Sequence, residues 1–276
     1  MNKKIGFIGS GNMCEVIVGG ILKTNFAKQK NILISGKNKN KLEKIKSKYN
    51  IQIFNDNCEI AKKSDVLFLT IKPQNYKEAV LEIKNFLKEK IILVSVAPGI
   101  KISFFKNLLS KNVKIVRSMP NTPALVEEGI TGICLCESIT NNESEFITEI
   151  FKSFGKIKII SENIMDAITA LSGSSPAFLF IIIEAMADGA VLCGMPRDLA
   201  YKFAAQTVLG SAKMVLTTKK HPGELKDMVC SPNGTTIEGV AKLEQLGIRN
   251  CVIEAIKSAF DKSKKISEAF DFKTNI

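Results

Sequence analysis

The sequence has few of the side chains on which nucleic-acid sites depend. It contains no tryptophan, three tyrosines and a single histidine, His221. The formal net charge is +12, but the lysines are scattered along the chain and no aromatic residues are interleaved with them as a stacking platform. A proteome-wide bias toward Lys, Asn and Ile explains the charge better than nucleic-acid binding does. We therefore predict no nucleic-acid partner.

The seven cysteines form no disulfide or metal pattern. Their number is odd, none are spaced as Cys-x-x-Cys, and only one histidine could join them as a ligand. We therefore predict no metal site, and reduced thiols as in a cytosolic protein. A strand begins within a few residues of the N-terminus, so we expect no signal peptide and a cytoplasmic location.

The chain also lacks a run of about 18 uninterrupted apolar residues, which a membrane-spanning helix needs. Its most apolar helical segment, 178–192, contains Glu184 and Asp188. A helix that is apolar around most of its circumference is buried. In a domain of this size, a second subunit would bury it. We predict self-association and no membrane partner.

The first 160 residues alternate between apolar strands and helical stretches. Continuous apolar runs at 66–71 and 91–96 are typical of strands buried on both faces of a parallel sheet. After residue 160 the sequence offers no convincing strand. The pattern predicts a doubly wound, Rossmann-type α/β domain over residues 1–161, followed by an all-helical domain over residues 162–276.

The loop Gly9-Ser10-Gly11-Asn12-Met13-Cys14 joins the first strand to the first helix, which is the context of a dinucleotide-binding turn. The first glycine permits the tight turn, and the second lets the backbone approach a pyrophosphate. Cys14 takes the place of the third small residue. A plain strand-to-helix turn is the simpler alternative, but the position at the start of an alternating pattern favours cofactor contacts from residues 9–13.

The second strand, 31–35, lacks the following acid that binds the ribose hydroxyls in NAD sites. No Asp or Glu lies between Glu15 and Glu43, and Ser35 and Lys37 stand at the strand end instead. A hydroxyl and a lysine suit a 2′-phosphate. We predict NADPH over NADH, with NADH as an alternative cofactor. The simpler interpretation makes Lys37 a solvated loop residue.

The segment Ser231-Pro232-Asn233-Gly234-Thr235-Thr236 has the composition of a tight turn that feeds a helix. Its Asn and Gly tolerate positive φ, and either threonine could cap the helix. Unpaired backbone N–H groups and the helix dipole at such a start suit a small carboxylate. Considered alone, this stretch is better explained as an ordinary capped helix.

Five separated motifs resemble those of the pyrroline-5-carboxylate reductase family, in order and spacing. They are the glycine loop, Lys72-Pro73, Asn121-Thr122-Pro123, Gly173-Ser174 and Leu225 through Thr236. The resemblance implies NAD(P)H-dependent reduction of L-1-pyrroline-5-carboxylate to L-proline, the last step of proline biosynthesis. It also implies dimers with interlocked helical domains, alone or as a ring of dimers. The chain departs from the family pattern at Cys14, Pro98, Ser175 and Asn233.

The resemblance implies two groups of site residues. The cofactor group is Gly9, Ser10, Gly11, Asn12, Met13, Ser35, Lys37, Asn57, Ile71, Lys72, Pro73, Ala97 and Asn121. The substrate group is Ser174, Ser231, Gly234, Thr235 and Thr236. Reducing a cyclic imine requires a hydride at carbon and a proton at nitrogen. Since the matched motifs hold no obvious acid, we predict that Thr236 donates or relays the proton while the backbone of 234–236 holds the carboxylate.

Other functions fit parts of the sequence. A related enzyme could reduce another cyclic imine or a β-hydroxy acid, but the hydroxy-acid branch needs a lysine in the helix after Ser175, and none precedes Lys202. A non-catalytic NADPH-binding protein would bind the cofactor without turnover. The intact pair of threonines at 235–236 argues against that interpretation.

Overall fold

The computed structural model describes residues 3–109 and 113–272, which form eight strands and twelve α-helices. The strands are β1 (Ile5–Ile8), β2 (Ile32–Ser35), β3 (Gln52–Phe54), β4 (Val66–Leu69), β5 (Ile92–Ser95), β6 (Lys114–Met119), β7 (Gly129–Leu135) and β8 (Gly155–Ile159). The helices are α1 (Asn12–Lys23), α2 (Lys39–Tyr49), α3 (Asn57–Lys63), α4 (Tyr76–Ile83), α5 (Ile102–Leu108), α6 (Asn141–Lys152), α7 (Met165–Ile168), α8 (Ser175–Leu192), α9 (Arg197–Thr218), α10 (Pro222–Val229), α11 (Thr235–Gln245) and α12 (Ile248–Phe272).

The strands form a single sheet in the order β3-β2-β1-β4-β5-β6-β7-β8. The chain winds outward from β1 in both directions, which places a topological switch point at the carboxyl end of β1. Strands β1 to β6 pair in parallel, as predicted, and the helical region follows the sheet. The predicted fold class is confirmed.

The last two strands differ in direction from a purely parallel sheet. Strand β7 pairs antiparallel with β6, and β8 pairs parallel with β7. The connection over residues 120–128 contains only a 3-10 turn, Thr122–Val126. Because a parallel neighbour needs a crossover of a dozen or more residues, usually a helix, this short link returns the chain in the opposite direction.

Both faces of the sheet are covered by apolar side chains, which explains the continuous apolar runs. Phe7, Phe68 and Val94 lie in one core cluster, and the side chains of Phe7 and Phe68 stack with 5.0 Å between ring centroids. Leu67 and Leu93 lie in the other cluster, on the opposite face. The alternation along each strand therefore distributes apolar residues to two cores rather than to one core and solvent.

A π-helix separates α7 from α8, just before Pro176. Residues Thr169–Ser174 form this wider turn, and Pro176 then lies in the first turn of α8. Proline is tolerated there because the N–H that it lacks would have no intrahelical acceptor. Single π-turns of this kind are frequent at functional sites.

The chain divides into two compact units. One, the sheet unit, consists of the described parts of 1–173 and 259–276. The other, the helical unit, is Ser174–Ser258. The predicted division between residues 161 and 162 follows the end of the sheet instead. The two divisions differ because the last part of α12 packs on the sheet unit, where Ser263 and Ser267 donate hydrogen bonds of 2.8 and 2.9 Å to Asp166 Oδ1.

A buried arginine anchors this contact within the sheet unit. Arg117 of β6 is 2% exposed, and its Nη1 donates to Glu162 Oε1 at 3.0 Å. Its Nη2 lies 3.8 Å from Asp166 Oδ1, and the backbone N–H of Ile102 also donates to Glu162 Oε1. Charges buried in this way are tolerated because they are paired.

The second unit exposes most of its apolar side chains. Helices α8 and α9 pack through Ala187, Ala200 and Ala204, while Phe180 and Leu192 are 63% and 89% exposed. The helical stretch Glu162–Leu192 is long and apolar enough to cross a membrane by length and composition, despite its acids, and 6% of its most apolar window is buried. An apolar surface of this extent requires a cover from outside the chain.

Candidate cofactor site and substrate loop

The turn after β1 is held tightly against two neighbouring strand ends. Gly9 has a φ of +108°, and a Cβ there would lie 2.6 Å from the carbonyl oxygen of Thr70. The Thr70 Oγ1 donates to the Gly9 carbonyl at 2.8 Å, and the Gly9 N–H donates to the Ser35 carbonyl at 2.8 Å. Only glycine fits this position.

The start of α1 is open to an anion. Gly11 is the N-cap and provides no side-chain hydrogen bond, so the first N–H groups, including those of Asn12 and Met13, have no side-chain cap. A Cβ on Gly11 would have its nearest neighbour 3.8 Å away, at Thr70. Cys14 is fully buried, and burial raises the pKa of its thiol, so it serves as a neutral packing residue.

A cavity of about 480 Å³ lies at this turn. Seven predicted cofactor residues line it: Gly9, Ser10, Gly11, Lys37, Asn57, Ile71 and Lys72. They come from the loops after β1, β2, β3 and β4, which meet at the carboxyl edge of the sheet. Six predicted cofactor residues do not line it: Asn12, Met13, Ser35, Pro73, Ala97 and Asn121.

Ser35 has a different role from the one predicted. Its side chain is fully buried, and its Oγ donates to Asn57 Oδ1 at 2.7 Å. The Asn57 Nδ2 in turn donates to Glu82 Oε2 at 2.9 Å. Ser35 is therefore an internal support for Asn57, and the hydroxyl predicted to face a 2′-phosphate is directed into the protein.

Asn121 also uses its side chain within the protein. It is 9% exposed, its Oδ1 accepts from the Ile130 N–H at 2.9 Å, and its Nδ2 donates to the Ser172 carbonyl at 3.1 Å. The loop after β6 is thereby joined to the π-helix. Its amide is engaged internally, so any cofactor contact at this loop would come from other atoms.

Sequence reasoning missed the acidic wall of the cavity. Glu78 and Glu82 lie one turn apart on α4, and both line it, together with Asn38 and Lys41 at the start of α2. The i, i+4 spacing of the glutamates places them on one face of the helix. The sequence does not show which loops this face of α4 meets. The two glutamates therefore could not be distinguished from solvated surface residues.

The charges at the end of β2 are unevenly paired. Lys37 Nζ lies 3.2 Å from Glu78 Oε1, and both side chains are mostly exposed. Lys41 and Lys72 have no ion-pair partner among the residues that the structure describes. The Asn38 side chain caps α2 by accepting from the Lys41 N–H at 3.0 Å, which fixes the start of the helix between Lys37 and Lys41.

One group of side chains has the composition of a metal site. Ligand atoms of Asp56, Cys58 and Glu82 lie within 4.8 Å of one another. Two of the three are exposed, and burial raises the pKa of the Cys58 thiol, which disfavours the thiolate that would bind a metal. The absence of a metal site stays a prediction.

The segment predicted to hold the substrate, residues 231–236, begins with a closed turn that is followed directly by α11. The Gly234 N–H donates to the Ser231 carbonyl at 3.1 Å, and Asn233 has a φ of +54°. This pattern, with Pro232 second and a positive φ third, matches a type II turn. Asn replaces the family's usual glycine at a position that Asn tolerates.

The predicted threonine cap is wrong. Gly234 is the N-cap of α11, without a side-chain hydrogen bond, and Thr235 and Thr236 are the first two helical residues. A Cβ on Gly234 would lie 2.4 Å from Ser231 Oγ and 3.2 Å from the Ser231 carbonyl oxygen, so a larger residue there requires the Ser231 hydroxyl to rotate away. The first helical N–H groups therefore have no side-chain cap, which leaves them available to an anion.

The remaining substrate residue, Ser174, ends the π-helix and lies in the same compact unit as this turn. Ser231, Gly234 and the two threonines are together on one exposed turn. The sheet unit carries the predicted cofactor residues and the helical unit carries the predicted substrate residues.

The first strand, its glycine turn and the lysines after β2 define a Rossmann-type dinucleotide-binding protein. Residues 4–99 match the family model described as NADP oxidoreductase coenzyme F420-dependent, and residues 162–266 match pyrroline-5-carboxylate reductase dimerisation. The chain is 43% identical to a pyrroline-5-carboxylate reductase of Escherichia coli (strain K12), over 98% of this chain and 100% of that protein. The chain belongs to the pyrroline-5-carboxylate reductase family.

Solved structures agree with this assignment. A pyrroline-5-carboxylate reductase from Coxiella burnetii is similar at a TM-score of 0.89 and 34% identity, covering 97% of this chain and 99% of that chain. Plasmodium falciparum pyrroline carboxylate reductase with NADP bound is similar at a TM-score of 0.88 and 32% identity, covering 96% and 98%. The sequence resemblance is therefore confirmed along nearly the whole chain.

Adding a methyl group to each of the two glycines of the turn should affect different properties, mainly stability at Gly9 and cofactor affinity at Gly11. Gly9→Ala should cost at least about 1–2 kcal/mol of stability, because it forces an L-residue into positive φ against the Thr70 carbonyl. Gly11→Ala should cost less than Gly9→Ala, since its φ of −83° suits alanine and only a poorer N-cap results, but it should weaken NADPH binding by about tenfold or more. Equal cofactor affinity in Gly11→Ala and the unmodified chain, measured by calorimetry, would place the pyrophosphate elsewhere.

Proposed function

We propose that this chain reduces L-1-pyrroline-5-carboxylate to L-proline with NADPH, in the cytoplasm, as the last step of proline biosynthesis. The observation that carries this proposal is the combination, in one chain, of the dinucleotide cavity and the uncapped Ser231–Thr236 turn. Full-length similarity to reductases of this name supports it.

The residues at the cavity fit the phosphates of NADPH. Gly9 and Gly11 leave backbone space that a Cβ would fill or narrow, and the uncapped N-terminus of α1 attracts a pyrophosphate. Lys37 and Lys41 suit a 2′-phosphate. When bound, NADPH supplies the hydride that reduces the C=N bond.

The turn before α11 is suited to the substrate's carboxylate. The backbone N–H groups of Thr235 and Thr236 have no side-chain cap, and the helix dipole adds positive potential. Ser174 and Ser231 add hydroxyls to the same substrate group. Holding the carboxylate orients the ring, and orientation alone lowers a barrier by several kcal/mol (roughly 7–11 at most).

The Thr236 hydroxyl is the proposed proton donor or relay to the imine nitrogen. Protonation makes the imine carbon a better hydride acceptor. The segment Ser231–Thr236 contains no His, Asp or Glu, so a hydroxyl is the protic side chain that the turn offers. Thr236 is partly buried, which shields a transferred proton from solvent better than the exposed Thr235 would.

The helical residues 162–276 form the proposed dimerisation and substrate domain. The family model for dimerisation covers 162–266, and the chain self-associates through this region. A second copy covers the apolar faces of α8 and α9 in a dimer or a ring of dimers, which leaves no apolar face for a membrane; we expect no nucleic-acid partner either. The exposed Phe180 and Leu192 are the side chains that this contact would bury.

The proposed reaction predicts rapid loss of nicotinamide absorbance when purified protein meets pyrroline-5-carboxylate and NADPH, with proline as product. NADH should support a slower reaction, because the cavity lysines favour a 2′-phosphate. The rates with each cofactor are measured in parallel. Tight cofactor binding without turnover would instead indicate another imine substrate or a non-catalytic binding protein.

Thr236→Val should lower kcat by about 10²-fold, because it removes the hydroxyl that donates or relays the proton. Thr236→Ser is the matched control, since it keeps the hydroxyl and should retain kcat within about tenfold. Cofactor affinity should be unchanged in both variants. Full catalytic efficiency in the valine variant would exclude this role.

If a second copy covers α8 and α9, light scattering in detergent-free buffer should show a dimer or a larger assembly. The protein should not be retained on phospholipid vesicles. Phe180→Glu should dissociate the assembly, because a carboxylate buried at an apolar interface is strongly unfavourable. Leu125→Glu, at a similarly exposed position in the sheet unit, is the control and should not. A monomer that binds vesicles would reverse the assignment of this surface.

A further inference from the structure

The two glutamates of the cofactor cavity differ in what holds them. Glu82 accepts a hydrogen bond of 2.9 Å from Asn57, which is itself held by Ser35. Glu78 has one described partner, Lys37, at 3.2 Å. Glu82 therefore ends a chain of hydrogen bonds that begins at the buried Ser35, whereas Glu78 is engaged only by the lysine expected to meet the cofactor's 2′-phosphate.

The Lys37–Glu78 pair can open at little cost. The two side chains are 81% and 71% exposed, and an exposed ion pair contributes little to stability. An incoming phosphate can therefore take Lys37 from Glu78. Glu78 stays at the wall of the same cavity after the pair opens, because α4 fixes its backbone there and keeps the carboxylate within side-chain reach of the cavity.

We propose that Glu78 is a specificity-determining residue that limits the preference of this chain for NADPH over NADH. Its negative charge competes with a 2′-phosphate for Lys37 and repels that phosphate, while a cofactor without the phosphate meets neither effect. A carboxylate at this edge of the cavity can also accept a hydrogen bond from a ribose hydroxyl, as the acid after β2 does in NAD sites. Helix α4 thus supplies the acid that the end of β2 lacks.

The remaining cations maintain a net preference for the phosphorylated cofactor. Lys41 lines the same cavity and has no ion-pair partner among the residues described, so its charge is not offset as that of Lys37 is. The proposal rests on the proposed cofactor site. It adds that removing one negative charge at Glu78 raises the selectivity of the site.

The test uses calorimetric titration of the full chain with 2′,5′-ADP and with 5′-AMP, which differ by the 2′-phosphate. Glu78→Gln should bind 2′,5′-ADP about three- to tenfold more tightly and 5′-AMP no more tightly, with a smaller effect at high salt. Glu149→Gln is the matched control: it breaks a similarly exposed lysine pair on α6, away from the cavity, and should change neither affinity. In assays, the ratio of kcat/KM for NADPH to that for NADH should rise by the same factor.

Lys37→Gln separates failure of this inference from failure of the cofactor site. It should weaken 2′,5′-ADP binding and leave 5′-AMP binding unchanged. If Lys37→Gln weakens 2′,5′-ADP but Glu78→Gln does not strengthen it, Glu78 has no part in specificity. If neither variant changes the affinity for 2′,5′-ADP, the 2′-phosphate does not bind at this end of the cavity and both proposals are overturned.

Discussion

The close approach of the Gly9 turn to the end of β4 is the constraint on which the cofactor site depends. A backbone with positive φ passes against the Thr70 carbonyl, and the Thr70 hydroxyl secures it. Helix α1 begins directly after this turn, and its first N–H groups have no side-chain cap. Because β1 lies between β2 and β4, the lysines that follow these two strands and the glutamates of α4 meet around a cavity of about 480 Å³.

The proposed site for the substrate carboxylate, in the helical unit, depends on a similar glycine turn before a helix. There a turn closed by Gly234 and Asn233 leaves the start of α11 without a side-chain cap. In both places glycine replaces a capping side chain and leaves backbone donors for an anionic ligand. Under the proposed function, backbone N–H groups at these two helix starts would bind the pyrophosphate and the carboxylate.

Local patterns predicted the parts of the fold that depend on neighbouring residues. Continuous apolar runs gave the buried strands, and the spacing of glycines gave the β1–α1 turn. The direction of β7 was not predictable from its composition, because it follows from a short connection rather than from the strand itself. At the site, the sequence did not predict Glu78. Ser35 and Asn121 were predicted to contact the cofactor, but their side chains form hydrogen bonds within the protein. Those outcomes depend on which distant backbone groups each side chain meets, such as the Ser172 carbonyl for Asn121.

The division of the chain into compact units has a consequence for its synthesis. The sheet unit is discontinuous, since residues 259–272 return to it after the helical unit has been completed. A ribosome releases the N-terminal residues first, and domains usually fold in that order. Here Arg117, Glu162 and Asp166 are made long before Ser263 and Ser267, which satisfy the Asp166 carboxylate. The sheet unit therefore cannot reach its final packing until the helical unit and the segment that contains Ser263 and Ser267 have been translated.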